Sequence, residues 1–232
     1  SKWLTKADCD ITDRYGVEQA LNETKAKYIL NCAAVTDIEY CEKNPQECFD
    51  INTIAVINLE RSCNTFNKKL IQISSDYAVY PTNVYGYSKY LMEKILNLKK
   101  SLIIRTSFYN NDLYLIKGLL QKNKVNAYTN MYFNPVSISR VAKEIYKNKD
   151  REGICNVFSS KRISKYTFAK ELARVFVVSK NLVQAVKFEN KPHFAKRPFN
   201  SFVKSDIDIA LGTDLIDFRK FLENSKVINL RI

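Results

Sequence analysis

The stretch Gln72-Ile73-Ser74-Ser75-Asp76-Tyr77 is followed, a few residues later, by Asn83-Val84-Tyr85-Gly86-Tyr87-Ser88-Lys89. The first stretch ends an apolar run that is typical of a buried β-strand. The second opens a run with apolar residues at helical spacing, which predicts a helix over residues 84–98. The chain therefore passes from a buried strand into a helix at this point, as it does in parallel α/β folds.

Strands and helices alternate around this stretch. Short runs with apolar residues on both faces predict buried strands at residues 28–30, 70–73 and 102–104. Apolar residues at helical spacing predict another helix over residues 45–67. This alternation predicts an α/β protein with a parallel sheet and right-handed crossover connections.

After Thr106 the pattern becomes richer in helices. The predicted elements are helices over residues 113–121, 137–147 and 164–179, and a strand at residues 154–158. Ser137 and Ser164 are the predicted N-caps, since each precedes an apolar-periodic run. No linker rich in Pro, Gly or Ser separates the two halves. We therefore divide the chain into residues 1–108 and a smaller lobe, residues 109–232, that is interleaved with the first.

Composition narrows the class of protein. No apolar run approaches the ~18 residues that cross a bilayer, and the first residues lack the apolar core of a secretory signal. We therefore predict a cytoplasmic protein without membrane contact. The net charge is +13, but the basic residues are spread over the whole chain and no nucleic-acid-binding motif is present. This predicts no nucleic-acid partner, while a basic surface favours phosphate-bearing ligands.

The cysteines and the histidine give no metal signature. The six cysteines are irregularly spaced without a Cys-x-x-Cys pair, and His193 is the single histidine. This pattern predicts reduced core thiols and no metal site.

Ser75, Tyr85 and Lys89 carry the side chains of a proton-delivering group. Ligands bind beyond the carboxyl ends of parallel strands, where Ser75 and Tyr85 can converge. An ammonium one helical turn away stabilises phenolate, so we expect Lys89 to lower the pKa of Tyr85 and help it to protonate a carbonyl oxygen. Ser75 would donate a hydrogen bond to the same oxygen. The chemistry indicated is redox chemistry on a carbonyl.

The Tyr-x-x-x-Lys pattern is weak on its own. It occurs at Tyr85, Tyr90 and Tyr166 in this chain, and only Tyr85 opens a helix soon after a strand that ends in a hydroxyl. The same residues also fit an ordinary helix start with an exposed tyrosine and lysine. The residues by themselves leave both interpretations open.

Several separated stretches resemble the extended short-chain dehydrogenase/reductase family, and within it the reductases of 4-keto-6-deoxy nucleotide sugars. In family order they are Asp10-Ile11-Thr12-Asp13, Asn31-Cys32-Ala33-Ala34-Val35-Thr36, Asn52, Ile73-Ser74-Ser75-Asp76-Tyr77, Asn83-Val84-Tyr85-Gly86-Tyr87-Ser88-Lys89, Arg105-Thr106-Ser107-Phe108 and Arg197-Pro198-Phe199-Asn200-Ser201, before a closing helix over residues 211–222. The resemblance implies a Rossmann-type doubly wound parallel sheet with a smaller C-terminal substrate lobe. It also implies hydride transfer from NADPH or NADH to the 4-keto group of a nucleotide-sugar substrate.

The resemblance further implies residue roles. Tyr85 would be the proton donor, Lys89 its partner that also grips the nicotinamide ribose, and Ser75 the hydroxyl donor in place of a more usual threonine. The implied cofactor contacts are Asp10, Ile11, Ala34, Val35, Thr36, Tyr85 and Lys89. The implied substrate contacts are Ser75, Asp76, Phe108 and Arg197. Ala34 and Val35 also fit a plain strand end, and Asp10 also fits a turn or an N-cap.

Departures from the family pattern leave alternatives. All five glycines are isolated, so the chain has no Gly-x-x-Gly-x-x-Gly loop, and it begins near the family's second strand. Because the backbone amides of that loop bind the pyrophosphate, we expect weak dinucleotide binding. The alternatives are a degenerate reductase-like regulatory or scaffold subunit, and a nucleotide-sugar epimerase or dehydratase of the same fold. A homodimer is left open.

Overall fold

The computed structural model describes residues 3–110 and 113–225. Helices α1 to α9 are Arg14–Glu23, Ile38–Lys43, Pro45–Phe49, Ala55–Thr65, Val84–Ile95, Tyr114–Leu120, Ile138–Asn148, Lys165–Val175 and Leu211–Asn224. Strands β1 to β10 are Tyr28–Asn31, Lys69–Ser75, Leu102–Thr106, Phe108–Tyr109, Val125–Tyr128, Tyr132–Phe133, Val136–Ser137, Gly153–Val157, Ile163–Ser164 and Val183–Val186. Short 3-10 turns follow β2 at Asp76–Ala78 and precede β10 at Lys180–Leu182.

The main sheet has the strand order β1-β2-β3-β8. Strands β1 and β2 are parallel, with Tyr28 opposite Lys69 and Asn31 opposite Gln72. Residues 102–104 of β3 are fully buried, so both faces of this strand are covered, as the apolar run predicts. The predicted α/β class and the parallel sheet are confirmed.

The predicted helix over residues 45–67 is interrupted in the structure. It begins as α3, passes through a π-helical turn at Asp50–Ile54 and continues as α4. The apolar spacing is the same on both sides of the turn, which is why the sequence pattern does not reveal it. π-Helical turns are rare and are often found at functional sites.

The described residues form two compact units. The first contains the described residues up to Arg105 together with Asn148–Cys155 and Asn190–Arg197. Its core includes Val56, Leu70, Met92 and Ile103, which come from α4, β2, α5 and β3. The segment Asn190–Arg197 therefore belongs to a unit that is otherwise built mostly from the first half of the chain.

The second unit contains Thr106–Lys147, Asn156–Glu189 and the described residues from Pro198 onward. Its core includes Phe168, Leu172, Leu215 and Phe218, all fully buried in α8 and α9. Strands β5 and β10 pair in parallel, and both contact α8. The functional division into residues 1–108 and 109–232 remains a prediction.

Helix boundaries follow local capping. Ser164 is the N-cap of α8, as predicted, and its Oγ accepts the Thr167 N–H at 3.0 Å. The Ser137 Oγ accepts the Arg140 N–H at 3.2 Å at the start of α7. Helix α8 ends at Val175, earlier than predicted, because the chain turns through a left-handed residue at Val177 with φ of 56°. None of the described helices combines the length and the apolar composition that a membrane span requires.

Two helical glycines of the second unit provide a test of its packing. A Cβ on Gly118 of α6 would lie 2.4 Å from Cγ1 of the fully buried Val125, whereas a Cβ on Gly212 of α9 would meet no atom within 4 Å. Gly118→Ala should lower the free energy of unfolding by about 1–3 kcal/mol through overpacking. Gly212→Ala should leave it unchanged or raise it by up to about 1 kcal/mol. Denaturant unfolding followed by circular dichroism measures both, and equal effects would contradict the close approach of α6 to β5.

Candidate active site

Strand β2 ends at the buried Ser75, and the buried Asp76 begins the 3-10 turn that follows. The Ser75 hydroxyl donates to Oδ1 of Asp76 at 2.9 Å and accepts the Tyr77 N–H at 3.2 Å. Ser75 thereby caps the 3-10 turn that follows the strand. A hydroxyl and a carboxyl group are thus held beyond the carboxyl end of a central strand, where ligands bind in parallel sheets.

Tyr85 lies in the first turn of α5 and is half-buried. The helix starts close to the end of β2, since a Cβ on Gly86 would lie only 3.0 Å from the Tyr77 carbonyl oxygen. The rings of Tyr77 and Tyr85 meet edge to face with centroids 6.0 Å apart. Ser75, whose hydroxyl accepts the Tyr77 N–H, lies close enough to Tyr85 to influence its pKa. The structure therefore brings together the hydroxyls that the sequence places ten positions apart.

The pKa of Tyr85 is raised, which differs from the expectation that Lys89 lowers it. Burial is the main cause; Ser75 acts to lower the pKa, and the nearby Asp76 acts to raise it. Desolvation destabilises the phenolate more than the surrounding dipoles stabilise it. The phenol therefore stays protonated at neutral pH, which is the form that can donate a proton.

Lys89 lies one turn further along α5 and is only 2% exposed. Its Nζ lies 3.5 Å from the Ile73 carbonyl oxygen of β2. Burial lowers the pKa of Lys89 to about 8, and this effect is opposed by neighbouring Cys48 and Glu93. The ammonium form therefore predominates at neutral pH but is lost in mildly alkaline solution.

A buried carboxylate occupies the next turn of α5. Glu93 accepts hydrogen bonds from Nε and Nη2 of Arg105, the shortest at 2.6 Å, and from the Ser74 hydroxyl at 2.5 Å. The carboxylate is thereby paired with a charge and fully hydrogen-bonded, as burial requires. This network joins the face of α5 that carries Lys89 to β2 and β3. Its sequence signal is a glutamate four residues after Lys89 in an apolar helix.

Asn52 joins the residues after β1 to α5. It is fully buried in the π-helical turn, where its Oδ1 accepts the Val35 N–H and its Nδ2 donates to the Val35 carbonyl oxygen, both at 2.9 Å. Its Nδ2 also lies 3.1 Å from Oγ of Ser88, the neighbour of Lys89. The two hydrogen bonds from Asn52 therefore hold the backbone at Val35 in place. Val35 and Ala34 are half-buried, and Thr36 is exposed.

Asp10 and Ile11 lie in the turn before α1. The Asp10 Oδ1 accepts hydrogen bonds from the N–H and the hydroxyl of Thr12, and these bonds lower the pKa of Asp10. A groove of about 640 Å³ is lined by Asp10 and Thr12, by Lys6 and Lys43, and by Ile51 of the π-helical turn among others. Because Ile51 precedes Asn52, the groove adjoins the contacts that hold Val35.

The other two predicted substrate residues come from later parts of the chain. Arg197 belongs to the first unit and pairs its Nη2 with Oε1 of Glu39 at 2.8 Å. Phe108 opens β4 in the second unit and is half-exposed. The first unit thus brings Ser75, Asp76 and Tyr85 together, whereas Phe108 is not part of that unit.

All six cysteines are free thiols. Cys41, Cys48, Cys63 and Cys155 are buried as free thiols, Cys9 is half-buried and Cys32 is exposed. Within residues 3–110 and 113–225, no group of three or more His, Cys, Asp or Glu side chains is arranged to hold a metal ion.

A parallel sheet with a hydroxyl at the end of a central strand, and a tyrosine and lysine one turn apart on the next helix, defines a Rossmann-type short-chain dehydrogenase/reductase. The profile of the family described as the RmlD substrate binding domain matches residues 2–225. The chain belongs to this family.

Individual relatives agree with that placement. The dTDP-4-dehydrorhamnose reductase of Aggregatibacter actinomycetemcomitans is 26% identical in an alignment 257 residues long, gaps included, which covers 95% of this chain and 87% of the relative. A crystal structure of a dTDP-4-dehydrorhamnose reductase from Clostridium acetobutylicum is 26% identical, with a TM-score of 0.81 over 94% of this chain and 89% of that chain. A reductase of the same name from Bacillus anthracis, solved in complex with NADP, is 23% identical, with a TM-score of 0.82 over 95% and 89%. The predicted resemblance to these reductases is confirmed.

Proposed function

We propose that this protein is an NAD(P)H-dependent oxidoreductase that reduces the 4-keto group of a nucleotide-linked 4-keto-6-deoxy sugar, a reaction of dTDP-rhamnose biosynthesis. The observation that carries the proposal is that Ser75 and Tyr85 both contact Tyr77 beyond the end of β2, with Lys89 buried one turn further along the same helix. Membership of the family and the reductase names of the full-length relatives support it.

The residues fit two parts of a nicotinamide dinucleotide. The groove beside Asp10 carries the carboxylates of Asp10, Glu47 and Asp50 as well as Lys6 and Lys43, so it would take the hydroxyl-bearing adenosine end of the cofactor and not its phosphates. Val35, held by Asn52, would contact the middle of the cofactor, and Lys89 would grip the nicotinamide ribose. When bound, the reduced nicotinamide supplies the hydride. Ile11, Ala34 and Thr36 complete the proposed contacts. The weak dinucleotide binding that we expect from the isolated glycines remains a prediction.

The side chains of this protein manage the proton. Tyr85 carries its phenolic proton at neutral pH, and it would transfer this proton to the C4 oxygen as negative charge develops there. Ser75 would turn its hydroxyl from Asp76 to the same oxygen and so stabilise that charge. The phenolate that remains needs a nearby cation, and Lys89 is the buried ammonium one turn away.

The remaining parts of the proposal concern location and partners. Asp76, Phe108 and Arg197 would contact the sugar nucleotide. Residues 1–108 would serve the cofactor and residues 109–232 mainly the substrate. A cytoplasmic location, the absence of nucleic-acid and membrane partners, and a homodimer remain predictions.

Product analysis tests the function against its alternatives. The purified protein is incubated with NADPH or NADH and with dTDP-4-keto-6-deoxyglucose or dTDP-4-dehydrorhamnose, while the absorbance of the reduced cofactor and the sugar products are followed. A C4 alcohol formed in equal amount to the cofactor consumed supports the reductase. An isomerised sugar without net cofactor consumption would instead indicate an epimerase. The absence of both turnover and cofactor binding would favour the scaffold alternative.

A further inference from the structure

A short segment from late in the chain fastens the start of the helix that carries Tyr85. This strap, Asn190–Arg197, belongs to the same compact unit as α5. The Asn83 Nδ2 donates to the Lys196 carbonyl oxygen of the strap at 2.7 Å. The Asn83 side chain is 2% exposed, so this bond is shielded from water. The hydrogen bond between Asn83 and Lys196 thus connects two segments that are more than a hundred residues apart, and Asn83 lies two positions before Tyr85.

Asn83 uses both ends of its amide. Its Oδ1 accepts the Gly86 N–H at 2.8 Å and caps α5, while its Nδ2 binds the strap. Aspartate in its place keeps an acceptor for the cap but has no donor for the Lys196 carbonyl. The cap alone therefore does not explain why an amide side chain occupies this position.

Helix α2 holds the strap on both sides of Lys196. The Glu39 Oε2 accepts the Ala195 N–H at 3.0 Å, and its Oε1 pairs with Arg197 at 2.8 Å. The Asn190 side chain exchanges two hydrogen bonds with the Arg197 backbone, which closes the strap on itself. The carbonyl that meets Asn83 is therefore presented by a segment with a defined position.

Contacts with α2 and with the turn after β2 also hold the start of α5. The Val84 N–H donates to Oε2 of Glu42 in α2 at 3.0 Å. A Cβ on Gly86 would lie 3.0 Å from the Tyr77 carbonyl oxygen and 3.2 Å from Cα of Pro81. Movement of the helix start would therefore change how the Tyr85 phenol faces Ser75.

We propose that Asn83 is a positioning residue for the reaction, because its amide couples the strap to the start of α5 and so sets the placement of the Tyr85 phenol against Ser75. The inference rests on the proposed role of Tyr85. A misplacement of about 1 Å at reacting groups can lower a rate by about 100-fold.

The test is Asn83→Asp, with Ser164→Ala as its matched control. The aspartate retains an acceptor for the helix cap, loses the Asn83 donor to the Lys196 carbonyl oxygen and places a negative charge beside it, while the Thr82 hydroxyl at 3.4 Å remains as a second donor to that oxygen. Ser164→Ala removes an N-cap bond from α8 in the second unit. We expect Asn83→Asp to lower kcat by about 10- to 100-fold with little change in NADPH affinity. Ser164→Ala should keep the wild-type kcat. An unchanged kcat in Asn83→Asp, or an equal loss in both variants, would overturn the proposal.

Amide hydrogen exchange provides a readout that does not depend on turnover. The strap residues 190–197 should exchange faster in Asn83→Asp than in the wild type and in Ser164→Ala. Unchanged exchange in the strap would overturn the coupling even if activity falls. Failure of the proposed function has a different signature, because the wild-type protein and Tyr85→Phe would then have the same turnover.

Discussion

Replacement of Tyr85 by phenylalanine is expected to lower kcat by about 10²- to 10⁴-fold, the range typical of a lost general acid. Phenylalanine retains the ring that meets Tyr77 edge to face, so the helix start should remain in place. The substitution removes the phenolic proton that Tyr85 carries at neutral pH. Steady-state cofactor oxidation measures the loss, and circular dichroism checks that the fold is intact.

Tyr90→Phe is the matched control for this experiment. Tyr90 lies on the same helix and begins a second Tyr-x-x-x-Lys pattern, in which the Lys94 Nζ lies 5.2 Å from the centre of its ring. Removal of this hydroxyl should leave kcat near its wild-type value. Equal turnover in the wild type and Tyr85→Phe would contradict the assignment of Tyr85 as the proton donor.

The second large effect is expected at Lys89. Lys89→Met should lower kcat by about 100-fold or more, because a phenolate that forms beside an apolar side chain lacks a counter-charge. In the wild type the ammonium is present below its pKa of about 8 and is lost above it, so kcat should decline as the pH rises through that value. Rate profiles from about pH 6 to pH 10 measure this decline.

Lys89→Arg tests whether loss of the positive charge at residue 89 causes the alkaline decline in kcat. A guanidinium stays charged throughout this range, so the alkaline decline should disappear in whatever activity the variant retains. The groups facing the ammonium that contribute to its pKa are Cys32, Cys41, Cys48 and Glu93. The pKa of the Cys41 thiol is raised, mainly by burial, so this thiol is uncharged at neutral pH. An identical decline in Lys89→Arg would show that another group titrates.

The buried lysine also predicts a pH dependence of stability. Its pKa falls from an ordinary 10.5 to about 8, so between these values the unfolded chain binds more protons than the folded one. The free energy of unfolding should therefore rise across this range, by about 3 kcal/mol from this residue. Lys89→Met lacks the contribution, so the difference between the two proteins in denaturant unfolding isolates it. A difference that does not change with pH would contradict the burial of an ionisable amine.

Much of the fold was predictable because its signals are local. Residues 102–104 are apolar on both faces and lie buried in β3, and Ser164 caps α8 as its place before an apolar-periodic run predicts. The order of elements around Ser75 and Tyr85 was enough to place a hydroxyl and a phenol at one end of a parallel sheet. Resemblance to a known family added the expected chemistry.

Other features depend on groups that lie far apart in the chain. The π-helical turn around Asn52 has the same apolar spacing as a regular helix, so periodicity did not reveal it. The roles of Asn52 and Asn83 follow from bonds to Val35 and Lys196, and a single sequence carries no sign of such pairings. The direction of the Tyr85 pKa was predicted wrongly, because the spacing to Lys89 is local whereas desolvation is not.

Local patterning alone was thus sufficient for the α/β class, the strand before Ser75 and the helix that presents Tyr85 and Lys89. Folding alone decided the protonation of those side chains and the partners that hold them. The physical reason is that apolar periodicity and capping act over a few residues, whereas desolvation and long-range hydrogen bonds depend on which distant segments surround each group.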